Sequence, residues 1–252
     1  MKPHIRKHVE VLALILFVAW ACALVLSGPG WHTTVVAAAN SGKSLGTKIV
    51  DVDGQSRLDA VTITKVTVAG QEIQTGISSG AREVQPGTPF QADENWLKNM
   101  SITLLNRTDK AIVCAQVEVW FPDTGDGSHE RPATLYTITL GQRPEWSTYM
   151  GDGSKLAPDP TKKALLVAPG KTFVINVGDD VDAMQSTVEA KLLFSEVTRV
   201  YIRRFRFYFV DGMRWDRVYT GYYVPTPNRP GQYTQLAPNY FPGHVPQNQS
   251  AE

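Results

Sequence analysis

Several short runs carry the residue types of a ligand or catalytic site. Asp51-Val52-Asp53-Gly54-Gln55, followed by Asp59, supplies oxygen atoms at positions 1, 3, 5 and 9 of a calcium-type loop. Such a loop also needs glycine at position 6 and a bidentate glutamate at position 12, and this chain has Ser56 and Thr62 there. Turn chemistry, in which Asp and Gly satisfy local backbone demands, accounts for this run and for the similarly incomplete Asp123-Thr124-Gly125-Asp126-Gly127. Ala37-Ala38-Ala39-Asn40-Ser41-Gly42-Lys43-Ser44 matches a loosened phosphate loop with Ala in the first glycine position. A phosphate loop must follow a strand and open a helix, whereas this run closes an apolar leader, so the match is read as coincidence. Gly170-Lys171-Thr172 fails too, because Leu165 occupies the first glycine position.

Other chemistries lack their minimal residue sets. His4, His8, His32, His129 and His244 form no His-x-x-x-His or His-x-His pair, which argues against a zinc hydrolase. No Gly-x-Ser-x-Gly elbow is present. Two cysteines, Cys22 and Cys114, exclude a disulfide-dense scaffold and a four-cysteine zinc site. Cys114, between Val113 and Ala115 on a strand pattern, is expected to be a buried, inert thiol. Asn99, Asn106 and Asn248 head Asn-x-Ser/Thr sequons, which matter only in a glycosylating host. Lys+Arg 25 against Asp+Glu 24 gives a net charge of +1, so the basic footprint of a nucleic-acid binder is missing. The expectation is a protein that is not an enzyme and uses no cofactor or metal.

One stretch does concentrate interaction chemistry. Arg199, Arg203, Arg204 and Arg206 precede a run of late aromatics that includes Phe207, Tyr208, Phe209, Trp215, Tyr219, Tyr222, Tyr223, Tyr233, Tyr240 and Phe241. Packing in a core is the plain use of such rings, and stacking on sugars or docking a partner is the other. Val197–Val210 is expected to be a long strand with Met213–Val224 as its partner, a hairpin turning through Val210-Asp211-Gly212 with Gly212 in the left-handed region. That register pairs Phe209 with Met213 and Phe207 with Trp215 on a core face. On the other face it pairs Tyr208 with Arg214 and Arg206 with Asp216, leaving Arg217 opposite Phe205. Trp215 is then core, and the candidate binding face is Arg204, Arg206, Tyr208, Tyr222 and Tyr223.

The N-terminus sets the expected compartment. Lys2, Arg6 and Lys7 precede an apolar stretch, Val9–Leu26, interrupted only by Glu10, and Ser27-Gly28-Pro29-Gly30 ends it. This is the layout of a secretory signal. The uninterrupted part, Val11–Leu26, is sixteen residues long, short of the roughly 20 that span a bilayer. Small-residue cleavage motifs occur at Ala37-Ala38-Ala39 and Ala21-Cys22-Ala23, neither ideally placed, so cleaved signal and retained membrane anchor both remain open. Either places the rest outside the cytoplasm: periplasmic, secreted or anchored in the inner membrane.

The elements that would position these residues read as strands. Val61–Val68 is almost wholly β-branched. Met100–Leu104 and Ala111–Phe121 alternate apolar and polar residues around the turn Asn106–Lys110, the pattern of a β-hairpin. Gly76–Pro89 and Arg143–Pro169 are rich in Gly and Pro and read as loops. Thr134–Leu140 and Lys171–Val177 read as further strands. Val181, Met184, Val188 and Leu192 recur at helical spacing, with Asp179 or Asp180 as cap. The expected order is a signal or anchor (1–39), a linker (40–60), a β-sandwich (61–224) and a tail (225–252) that is extended or disordered, because Pro225, Pro227, Pro230, Pro238, Pro242 and Pro246 forbid regular structure. The fold class is all-β: an antiparallel immunoglobulin-like sandwich with one short crossover helix.

The run Asn99–Ile112 resembles the strand–turn–strand signature of immunoglobulin-like and fibronectin-type domains in exported bacterial proteins. Ala168-Pro169-Gly170-Lys171 and Phe209-Val210-Asp211-Gly212-Met213-Arg214-Trp215 resemble an uncharacterised exported family of that kind. The resemblance implies a sandwich fold and an extracytoplasmic site, and no active site. The expected function is a non-enzymatic binding or structural role at the cell envelope, with envelope polysaccharide or another envelope protein as partner and the N-terminal segment touching the membrane. The alternative is a carbohydrate-binding module using the late aromatics.

Overall fold

β-Branched and aromatic runs become strands here because their side chains are stiff at χ1 and pack well on a pleated surface. The computed structural model describes residues 34–35, 45–79, 82–85, 87–126, 132–144, 161–218, 221–229 and 231–242. The expected signal or anchor segment up to residue 33, the phosphate-loop-like run 37–44, Tyr219, His129, His244 and Asn248 lie outside the described residues. In chain order the strands are β1 (Thr34–Val35), β2 (Gly46–Asp53), β3 (Val61–Val68), β4 (Gln71–Glu72), β5 (Gly76–Ser79), β6 (Arg82–Gln85), β7 (Phe90–Ala92) and β8 (Met100–Asn106). They continue with β9 (Ile112–Phe121), β10 (Thr134–Gly141), β11 (Thr172–Asn176), β12 (Arg199–Phe209), β13 (Arg214–Asp216), β14 (Gly221–Pro225) and β15 (Tyr233–Gln235). One short helix, α1 (Val181–Val188), precedes β12. Among the described residues no helix is long and apolar enough to cross a membrane.

The strands form two sheets with a common core. The smaller has the order β11-β8-β3-β4; the larger runs β1-β7-β2-β12-β13-β14-β15, with β9 and β10 on the other side of β12 and β5 and β6 beside β2. Ile63, Val66 and Val68 of β3, Ile102 and Leu104 of β8 and Ile175 of β11 share one buried cluster with Val117, Val119 and Phe121 of β9. Val200, Ile202, Phe207 and Phe209 of β12 and Trp215 of β13 complete it, and α1 adds Val181, Met184 and Val188. Each large aliphatic side chain so buried contributes about 1.5–3 kcal/mol of transfer free energy. The strand Val61–Val68 and the helical spacing 181–188 match the sequence expectation, but Asp180 makes no side-chain cap. Its carboxylate instead accepts a hydrogen bond from the Tyr136 hydroxyl at 3.1 Å.

Five expectations are corrected. The segments Met100–Asn106 and Ile112–Phe121 are not a hairpin: β8 pairs with β3 and β11, whereas β9 pairs with β10 and β12. Residues 106–110 carry the chain from one sheet to the other. Asn106, fully buried, holds this arch: its Nδ2 donates to the carbonyls of Lys110, Val167 and Ala168 at 2.8, 3.1 and 3.2 Å. Alternation shows which face of a strand is apolar; strands side by side and strands face to face satisfy it equally.

Within the supposed linker 40–60, β2 is a central strand. It is parallel to β12 (Val50↔Val200, Val52↔Ile202) and to β5, so the larger sheet is not wholly antiparallel. The supposed loop Gly76–Pro89 contains β5 and β6, docked so closely that a Cβ on Gly76 would meet the Asp51 carboxylate and the Gly87 nitrogen. The tail has regular structure among its described residues: β15 pairs with β14, Leu236 N–H donates to Tyr222 O at 2.8 Å, and Asp109 N–H donates to Pro242 O at 3.2 Å. Finally, β12 meets the following segment only over Phe205–Phe209, with strand pairing at Arg206–Tyr208 and flanking backbone bonds to Arg217 and Met213, and β13 turns into β14 (Trp215↔Tyr222) rather than continuing along β12.

The turn itself is as expected. Phe207 opposes Trp215, Tyr208 opposes Arg214 and Arg206 opposes Asp216. Phe209 N–H donates to Met213 O at 2.8 Å, and Gly212 has φ 92°.

Candidate functional site

β12 positions most of the chemistry-bearing residues. One of its edges is shared: β2 pairs with it as far as Ile202↔Val52, and β13 takes over at Arg206↔Asp216. On the other edge, the register with β9 slips between Arg204 and Arg206. That bulge changes which residues face the core. Val200, Ile202 and Arg204 point inward before it, Phe207 and Phe209 after it. Arg206 and Tyr208 therefore lie on the opposite face from Arg204, beside Gln116 and Cys114.

Arg204 fills the gap where β2 leaves and β13 arrives. Its Nε lies 3.0 and 3.1 Å from the two oxygens of Asp53, and its Nη2 donates to Asp53 Oδ2 and Gly54 O at 2.8 Å each. Its Nη1 donates to Asp59 Oδ2 at 2.8 Å and to Val61 O at 2.7 Å. Arg217, opposite Phe205, reaches the same carboxylates, with Nε 3.1 Å from Asp53 Oδ2 and Nη1 3.6 Å from Asp59 Oδ1. Arg204, Asp53 and Asp59 are all fully buried. Burial opposes the Arg204 charge, but the bonds and fields of Asp53 and Asp59 outweigh it and hold its pKa above the ordinary guanidinium value. Two carboxylates that a calcium loop would use are thus occupied by two guanidinium groups. Among the described residues no group of three or more His, Cys, Asp or Glu is placed to hold a metal ion.

The opposite face of the larger sheet carries a ladder of arginine contacts. Arg199 Nε is 2.6 Å from Asp51 Oδ2. Arg203 pairs with Glu118 and lies 4.9 Å from the Trp120 ring, whose Nε1 donates to the same Glu118 at 3.0 Å. Arg206 donates to Asp216 at 2.8 Å and stacks on Phe205 at 4.7 Å. Burial works against its charge, and Tyr208 and Asp216 more than restore it. Arg214 lies between the rings of Tyr233 (4.0 Å) and Tyr223 (5.1 Å). These stacks and pairs use the arginines inside the sheet.

The expected binding face is therefore not an exposed surface. Arg204 is 0%, Tyr208 1%, Tyr222 1% and Tyr223 7% exposed, and the Arg206 side chain is 20% exposed. Trp215 is core, as expected, and packs on Phe207 at 5.8 Å. Tyr222 stacks on Phe209 at 6.3 Å and meets Tyr240 and Phe241 edge-on at 5.7 and 6.0 Å. Burial raises its phenol pKa well above the ordinary value. The reason for the correction is the bulge, together with the tail folding back over the sheet.

Two further groups are defined by burial. Cys114 is a buried free thiol, and burial pushes its pKa up to about 12. Lys48 donates to Val197 O at 2.7 Å and sits 5.9 Å from the Trp96 ring; burial lowers its pKa despite Asp123 and Asp93 nearby. Sequence reasoning missed Asp53 and Asp59 as the shared partners of Arg204 and Arg217. The available signal was four arginines on one long apolar strand, which must find carboxylates if they are to be buried.

Comparison with protein-family models, with curated proteins and with solved structures finds no match to this chain.

Proposed function

We propose that this is an extracytoplasmic protein, exported or membrane-anchored, with a non-enzymatic structural or binding role at the cell envelope, on a sandwich of immunoglobulin-like type. The observation that carries the structural emphasis is the use made of its charged residues. Arg199, Arg203, Arg204 and Arg206 of β12 are bonded to Asp51 and Asp53 of β2, Glu118 of β9 and Asp216 of β13, and so link strands of one sheet, while Arg204 and Arg217 also tie in Asp59 between β2 and β3. Export is supported by Lys2, Arg6 and Lys7 ahead of Val11–Leu26 and the Gly28-Pro29-Gly30 break. Envelope polysaccharide or a second envelope protein is the partner class this reading implies. Stacking of sugars on Trp215, Tyr222 or Tyr223 draws no support from rings that are buried.

Cell fractionation of the full chain, with N-terminal sequencing, tests the reading. The expected result is a chain outside the cytoplasm, either lacking its leader or membrane-bound with it. A soluble cytoplasmic protein retaining Met1 would overturn the proposal.

A further inference from the structure

β10 is an edge strand of the larger sheet. It pairs with β9 over all eight residues without a bulge, and among the described residues no strand pairs with its other side. An edge strand offers unpaired N–H and C=O groups to any extended chain, and proteins guard such edges with charge, proline, bulges or short length. Most other edges follow that rule: β4 has two residues, β15 three, and β6 carries Arg82 and Glu83. β11 is also uncharged, with Val174 48% exposed, but it is short, with five residues directly after Lys171. β10 is longer and unguarded. Thr134-Leu135-Tyr136-Thr137-Ile138-Thr139-Leu140 contains no charge and no proline, Leu135 is 39% exposed, and Thr137 and Thr139 are half-buried.

We propose that β10 pairs antiparallel with β10 of a second copy of this chain, about a two-fold axis at Thr137, so that two larger sheets become one. Self-pairing suits this strand because it brings no charges together. Gly141, at φ 78°, ends the regular part of the strand, which leaves Thr134–Leu140 with its midpoint at Thr137. In that register Thr137 faces its own counterpart, Leu135 faces Thr139, Tyr136 faces Ile138 and Thr134 faces Leu140. Thr–Thr and aromatic–β-branched pairs are favourable across strands. Facing residues also keep their sides: Leu135, Thr137 and Thr139 lie on the outward face with Trp120, Glu118 and Gln116, and Ile138 lies inward with Val117. α1 flanks the inward side, where Tyr136 meets Asp180.

Sedimentation equilibrium of the full chain in a mild detergent, for wild type, Thr137→Lys and Thr137→Glu, tests this. Either substitution sets like charges opposite each other at the axis, so the dimer dissociation constant is expected to rise at least about tenfold. An equimolar mixture of the two variants sets Lys against Glu and is expected to recover dimer. That recovery is not expected from a variant that merely misfolds. In a Cys22→Ser background, Thr137→Cys is expected to cross-link to its own copy under mild oxidation and Thr139→Cys is not. A monomeric wild type, which would leave the edge to a different protein, overturns the proposal. So do variants that dimerise like wild type, a mixture that stays monomeric, or equal cross-linking at both positions.

Discussion

At Cys114, burial sets the chemistry and nearby charge only trims it. Desolvation raises the thiol pKa from 9.0 to about 12, against weaker opposing fields from Arg143 and Lys162. In a Cys22→Ser background, a thiol reagent is expected to label the native protein only through transient opening, far more slowly than the urea-unfolded chain. Labelling at the unfolded rate would contradict the burial. The same shift has a sign in pH. An acid whose folded pKa is raised keeps its full contribution below the unfolded value, and loses it as pH rises from 9.0 towards about 12. Denaturant midpoints at about pH 8 and about pH 10.5 are therefore expected to differ less in Cys114→Ala than in its parent. This residue was legible in the sequence because its neighbours in the strand, Val113 and Ala115, are apolar. Arg204 was not: its type suggests a solvated face, and the carboxylates that bury it lie about 150 positions away, at Asp53 and Asp59.

Among the elements, local chemistry was readable and sheet membership was not. The Val210-Asp211-Gly212 turn follows from pairing arithmetic, because only a three-residue loop brings Phe207 opposite Trp215. Gly212, at φ 92°, is in a region that a Cβ disfavours, so Gly212→Ala is expected to cost about 1–2 kcal/mol. Val210→Ala, at a neighbouring position 59% exposed, is expected to change stability by less than about 0.5 kcal/mol. Chemical denaturation of both variants checks the contrast, and equal effects would contradict the turn geometry. The bulge between Arg204 and Arg206 has no comparable signature, since no glycine or proline marks it. One unread bulge was enough to put Arg204, Arg206 and Tyr208 on a common face when the chain puts Arg204 on the other. β2 was hidden for a related reason: the surrounding Gly, Ser and Asp residues read as linker, and its carboxylates pointed to turns rather than to ion pairs within a sheet.

Across the whole molecule, the Arg204 cluster ties early chain to late chain. Asp53 at the end of β2 and Asp59 ahead of β3 meet Arg204 of β12 and Arg217 beyond β13, at the point where two strands share one edge. The structural emphasis of the proposed role rests on this arginine-rich stretch being internal framework rather than exposed binding surface. Exposed pairs contribute little: Lys65 and Glu72 lie 3.4 Å apart with side chains 45% and 63% exposed, and Lys65→Ala is expected to cost less than about 1 kcal/mol. Removing one member of a buried group leaves its partners desolvated and unpaired, which typically costs about 3–5 kcal/mol. The most direct measurement is equilibrium denaturant unfolding of Arg204→Met beside wild type. The expected result is a loss of about 3–5 kcal/mol with the unfolding slope unchanged. An Arg204→Met protein as stable as wild type would contradict the account.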